Sequence, residues 1–156
     1  LARVLHPKGV LLLTTMGLDT LKECREAFAQ IDDFPHVHDF FDMHDVGDTL
    51  LQQGFSDPVV DMQTLTVNYK TVKQLFDDLQ QCGTTNAHAN RHRGLTGKKR
   101  WQKMLSTFAA MQNQQAIPVT YEIIFGHAWG VRTQQEKLGE TTISLSSIEK
   151  MLEDKK

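Results

Sequence analysis

The sequence predicts an α/β fold in which a small sheet is flanked by helices. Three stretches carry that prediction, because their periodicity is that of strands. VLLLTT, Val10 to Thr15, is short and nearly all apolar, as suits a strand covered on both faces. DPVVDMQTLTVNY, Asp57 to Tyr69, is rich in β-branched residues and opens on a turn signal. IPVTYEIIFGHAW alternates, so that Val119, Tyr121, Ile123, Phe125 and His127 share one face. The stretches between these strands show helical spacing instead.

Taken in order, Leu1, Val4 and Leu5 have helical spacing until Pro7 and Gly9 break it. After the first strand Gly17 closes the run. Asp19 is a candidate N-cap, its carboxylate accepting from free amides of a helix whose stripe is Leu21, Cys24, Arg25, Phe28 and Ile31. Pro35 ends that pattern, and a second helix is expected from Met43 to Gln53, capped by Asp42 and closed by Gly54. Past the second strand, Val72, Leu75, Phe76 and Leu79 mark an amphipathic helix between Thr71 and Gly83. GTTNAHANRHRG reads as a loop. A further helix is predicted from about Lys98 to Gln114, burying Trp101, Met104, Leu105, Phe108 and Met111, ahead of the last strand. Residues 1–130 thus form one unit, with 131–156 a polar extension in which a short helix starts at Ser146 or Ser147 and carries Ile148, Met151 and Leu152.

At 156 residues and 40% hydrophobic content the chain can bury a core, and 17 bases against 19 acids exclude wholesale coating of nucleic acid. No long apolar run or signal peptide is visible, so no membrane partner is expected. Cys24 and Cys82 form neither a metal spacing nor a bridge framework, and a reducing cytoplasm is the expected compartment. The opening LARVLHPKG reads as a helix tail running into a turn, which predicts a start inside a larger fold.

Local charge departs from the average. Arg91, Arg93, Lys98, Lys99, Arg100 and Lys103 follow one another with no acid among them, in a protein of net charge −2. Such a block either is a solvated helix face or steers an anionic partner. Nucleic acid is disfavoured because Trp101 is the only interleaved aromatic, and its spacing assigns it to the core. HVHDFFDMHD offers His36, His38, Asp39, Asp42, His44 and Asp45, but lacks the two-ended spacing of a metal signature. No metal site is assigned to it. His127, Met104, Phe108 and Met111 are read as core or edge residues.

The order of elements resembles the second half of a class I S-adenosylmethionine-dependent methyltransferase, a Rossmann-like fold, and RVLHPKGVLLLTT resembles the segment entering its fifth strand. DMHDVGDTLLQQGFSDPVVDMQTLTVNY, LFDDLQQCGTTNAHANRHRGLTGKKRW and VTYEIIFGHAWG, in that order, resemble the biotin-pathway malonyl-[acyl-carrier protein] O-methyltransferases. The resemblance implies methylation of the free carboxylate of a malonyl thioester, with S-adenosylmethionine as co-substrate. It also implies a three-stranded sheet whose final strand, Val119 to Ala128, lies centrally and antiparallel to the others. The family's Gly-rich cofactor loop and ribose-holding acid would lie upstream of Leu1, so this chain alone is expected to lack most of the cofactor site and to be inactive. The strand Val10 to Thr15 would then present an open edge, suited to a homodimer.

A malonyl carboxylate is already ionised at neutral pH, so its attack needs positioning and no general base. Arginine suits that role through its planar, permanently charged fork. The resemblance places Arg91 as the clamp, with Asn86 orienting the thioester or the arginine; a solvated arginine and a turn asparagine are the plain alternatives. Arg93, Lys98, Lys99, Arg100 and Lys103 would dock an acidic carrier protein, on the substrate side of the fold formed by residues 71–114. Carrier protein and coenzyme A remain equally compatible. The competing readings are a non-catalytic interaction module and a class I enzyme acting on another small carboxylate or metabolite.

Overall fold

A computed structural model describes residues 1–130 of the chain, and the expected tail helix lies outside them. The elements follow as β1 (Val10–Met16), α1 (Lys22–Ala29), α2 (Met43–Gln52), β2 (Ser56–Tyr69), α3 (Val72–Gln81), α4 (Lys98–Ala110) and β3 (Ile117–Trp129). The sheet order is β1-β3-β2, with β3 antiparallel to both neighbours. This is the arrangement the sequence predicted. Register runs from Val10 opposite Trp129 to Met16 opposite Ile123 on one side, and down to Tyr69 opposite Ile117 on the other.

β1 is shorter than β3, which leaves the first half of β3 without a strand on that side. The turn after β1 fills the gap, since backbone amides of a central strand must find partners. The Gly17 amide donates to the Glu122 carbonyl at 2.9 Å and the Leu21 amide to the Thr120 carbonyl at 2.7 Å. Thr20 Oγ1 donates to the Glu122 carbonyl at 3.0 Å and accepts from the Glu122 amide at 3.1 Å. Glu23, in the first turn of α1, accepts from the Thr120 amide at 2.9 Å. These bonds correct the expected cap. Leu21, left-handed at φ 58°, occupies the N-cap position of α1, and Asp19 pairs instead with Lys22 at 2.9 Å on the surface. Gly17 leaves room here for the Glu122 side chain, whose carboxylate an added Cβ would displace.

Alternate residues of β3 face opposite ways, and each face has its own core. Ile117 and Val119 pack with Tyr69, Cys24 and Ala27 of α1, Leu75 of α3, and Met104 and Phe108 of α4. Ala128 packs on the other face with Leu50 of α2 and Phe55, joined by Leu5, Leu11 and Leu13. The predicted cap at Asp42 holds, accepting from the His44 amide at 2.7 Å, and Thr71, near the expected helix start, also caps by accepting from the Gln74 amide at 3.1 Å. α4 ends at Ala110, ahead of the predicted Gln114. Trp101 is not core: it is 39% exposed and leans on Phe76 at 5.8 Å, while Met104 and Phe108 fill the interior one and two turns later. His127 is likewise no core residue but half-buried beside Phe125, which is 43% exposed. Past Tyr121 this face of β3 has no helix over it among the described residues. β1 is an edge strand, its outer side unpaired among them.

Candidate substrate site

The loop that carries most of the candidate residues starts where α3 stops. Gly83 adopts φ 71°, its amide donates to Gln80 and the Thr84 amide to Leu79, both at 3.0 Å, so the helix closes in a Schellman motif. The chain then crosses to the segment that follows α1. Asn86 Nδ2 donates to the Pro35 carbonyl at 2.7 Å, and its Oδ1 accepts from the His88 amide at 3.0 Å. The Ala87 amide donates to His38 Nε2 at 3.3 Å, and His88 Nε2 stands 3.6 Å from Asp39 Oδ2. Together these contacts clip two loops to each other.

Beneath the clip lies a largely apolar cavity of about 300 Å³. Met16 at the end of β1, Cys24 and Phe28 of α1, Leu79 of α3 and Tyr121 of β3 line it, with His38, Thr85 and Asn86 at the clip. Burial pushes the Cys24 thiol up to about 12, so it is an inert wall at neutral pH. Tyr121 OH lies 3.1 Å from Tyr69 OH, and burial, reinforced by that bond, holds its hydroxyl above the usual phenol range. Both shifts favour the neutral forms, and the largely apolar lining suits binding and shielding.

Arg91 stands outside this lining. It is exposed, and one guanidinium N–H donates to the His88 carbonyl at 3.2 Å. Its other guanidinium N–H groups have no partner among the described residues. Asn86 has a different setting from the one the sequence suggested, since its amide spans two loops as well as making its own turn. Arg93, Lys98, Lys99, Arg100 and Lys103 are all exposed, and Arg100 reaches Asp32 at 3.7 Å. Burial alone would raise the Asp32 carboxyl; bonds from His36 and the Phe34 amide, with the Arg100 charge, hold it below the ordinary carboxylate range.

Among the described residues no three His, Cys, Asp or Glu side chains gather as metal ligands. His36 pairs with Asp32 at 2.8 Å and stacks on Phe28, and Asp42 caps α2. His38 was passed over in the sequence as part of that histidine-rich run. Its partners lie 47 and 49 residues away, and no local signal announces them. The described residues do not fit S-adenosylmethionine. The spaces beside Gly17 and Gly130, which directly follow strands, are filled by the protein's own Glu122 carboxylate and His6 carbonyl, and no glycine-rich strand-to-helix turn is present among the described residues. No helix among the described residues is long and apolar enough to cross a membrane.

No family model matches the chain. Curated relatives do. It is 41% identical over 146 residues to the malonyl-[acyl-carrier protein] O-methyltransferase of Gallionella capsiferriformans, covering 94% of this chain and 50% of that protein. It is 45% identical over 150 residues to malonyl-[acyl-carrier protein] O-methyltransferase 1 of Coxiella burnetii, covering 94% and 52%. The enzyme of that name in Legionella pneumophila is 40% identical over 152 residues, covering 96% and 54%. The chain therefore spans about half the length of the curated relatives it matches. At 40–45% identity over nearly its whole length, the chain is similar to about half of these malonyl-[acyl-carrier protein] O-methyltransferases, and its three-stranded sheet with a central antiparallel β3 agrees with part of a class I methyltransferase fold.

Proposed function

We propose that this chain is the substrate-side half of an enzyme that methylates the free carboxylate of a malonyl thioester borne on acyl-carrier protein. One observation carries the reading. The loop from Thr85 to His88 is fastened over an apolar cavity that reaches Met16 at the end of β1 and offers room for an acyl group, and Arg91 follows three residues later with its guanidinium exposed and tied to the His88 carbonyl. Ligands of open α/β sheets gather at the carboxyl ends of their strands, which is where Met16 stands.

In this reading Arg91 grips the malonyl carboxylate through two parallel N–H···O bonds and aligns it; orientation of this kind contributes roughly 7 to 11 kcal/mol in favourable cases. The carboxylate is the nucleophile as it stands, and no base is needed. Methylation removes the negative charge and with it the reason for Arg91 to hold on, so product leaves. S-adenosylmethionine supplies the methyl group, and its cradle belongs to the portion of the relatives that this chain does not span. Asn86 holds the Arg91 platform to the 35–39 segment. Arg93, Lys98, Lys99 and Lys103, with Arg100 shared with Asp32, attract the acidic carrier and should lose that effect as salt rises.

Two measurements test this. Titrating S-adenosylmethionine into the present chain should give little heat, and the longer protein containing it should convert a malonyl-carrier thioester to its methyl ester. Tight S-adenosylmethionine binding by this chain would overturn the placement of the cofactor cradle. Absence of methyl ester with the longer protein would overturn the activity.

A further inference from the structure

We propose that Leu95 is the apolar anchor through which the basic face engages its carrier protein; the proposal rests on the carrier reading given above. Leu95 is 98% exposed, more than any other large apolar side chain among the described residues. It is not left loose in the loop. His92 Nδ1 lies 3.1 Å from the Gly94 carbonyl, and the His92 ring leans on Phe34 at 5.1 Å. Gly94 allows the tight turn, for an added Cβ would meet the His92 ring at 2.7 Å. The loop is thus folded on itself just before Leu95 and delivers the isobutyl group outward.

The surroundings state what kind of partner fits. Leu95 shares a shallow depression of about 450 Å³ with His92, Gly97, Lys98, Lys99 and Arg100. No Asp or Glu occurs between Asp78 and Glu122, so the segment itself supplies only positive charge. The nearby carboxylate of Asp32 is engaged by His36 and Arg100. The first turn of α4 carries Lys98, Lys99 and Arg100 with no capping side chain, placing cations at the positive end of the helix dipole. That placement disfavours the free helix and is relieved when an anionic surface arrives. An exposed apolar knob ringed by cations matches a protein that presents carboxylates around an apolar groove. Charge brings such a partner in and sets its register, while burial of the knob holds it.

The test compares two carriers of one acyl group. In the longer enzyme, the ratio of KM for malonyl-carrier protein to KM for malonyl-coenzyme A is measured for wild type, Leu95→Ser and Leu95→Met. The ratio should rise roughly tenfold or more in Leu95→Ser, as loss of one buried leucine implies, and stay near wild type in Leu95→Met. An unchanged ratio in Leu95→Ser overturns the proposal, whether both KM values hold or both worsen together because Leu95 packs within the longer protein. A second measurement separates this failure from failure of the malonyl reading. Unacylated holo-carrier protein should bind wild type and bind Leu95→Ser roughly tenfold more weakly, even if malonyl proves to be the wrong acyl group. Equal binding to both variants overturns the anchor.

Discussion

Replacing Asn86 by alanine should open the clip without unfolding the domain. The side chain makes one bond between loops, to the Pro35 carbonyl at 2.7 Å, and one within its own turn, from the His88 amide at 3.0 Å. Each half-buried neutral bond contributes about 0.5–1.5 kcal/mol net, so the substitution costs about 1–3 kcal/mol of local stability. What remains is weaker: a 3.3 Å bond from the Ala87 amide to His38, and a 3.6 Å contact from His88 to an Asp39 side chain that is 90% exposed. An exposed pair of that kind adds about 0–1 kcal/mol. The open population should therefore rise by about fivefold to a hundredfold, taking about 1.4 kcal/mol per factor of ten. Amide hydrogen exchange reads this directly. The Ala87 amide should lose protection in Asn86→Ala, while amides in α3 and β3 keep theirs. Asn86→Asp sharpens the comparison, because it keeps the acceptor for His88 but sets an oxygen against the Pro35 carbonyl. Unchanged exchange at Ala87 in both variants would refute the idea that Asn86 fastens the loop.

Phe108→Ala should lower stability by about 3–5 kcal/mol, seen as a fall in the urea midpoint, because Phe108 is fully buried where α4 meets Phe76 edge-on at 6.3 Å. A thiol reagent at mild alkaline pH should modify Cys82 rapidly in the native chain and Cys24 only after denaturation, since Cys82 is exposed and burial pushes the Cys24 thiol up to about 12. Asp32 titrates below the ordinary carboxylate value in the folded chain, so its contribution is present above the unfolded value of about 4 and is lost as pH falls through the lower folded one. Asp32→Asn should flatten that part of the acid unfolding curve, and an identical curve would contradict the Asp32–His36–Arg100 arrangement.

The strands were legible as strands because their residue types and periods are those of extended chain. VLLLTT is a strand, but not one covered on both faces as its nearly all-apolar run suggested, since it lies at the sheet edge with Leu12 74% exposed. IPVTYEIIFGHAW alternates, and its two faces meet two different cores. The cap at Asp42 was legible for a local reason, its bond spanning two residues, and the start of α3 near Thr71 was legible for the same reason. Asp19 misled because the same local rule was overridden from afar: unpaired amides of β3 recruit Thr20 and Glu23, and the helix starts later. Trp101 misled because helical spacing shows which side chains share a stripe and not where the stripe runs out of core. At the site, the loop and its basic residues could be read from composition. The clip could not, since it joins Pro35 and His38 to residues 47 to 51 positions away, and only the fold brings them together.

Steady-state methyl transfer to a malonyl-carrier thioester by the longer enzyme, with Arg91 intact, changed to lysine or changed to alanine, tests the central claim most directly. A guanidinium that grips the reacting carboxylate predicts a fall in kcat/KM of about a hundredfold or more for Arg91→Ala, with partial recovery in Arg91→Lys, which keeps the charge and loses the fork. Equal kcat/KM for all three would show that the carboxylate is held elsewhere.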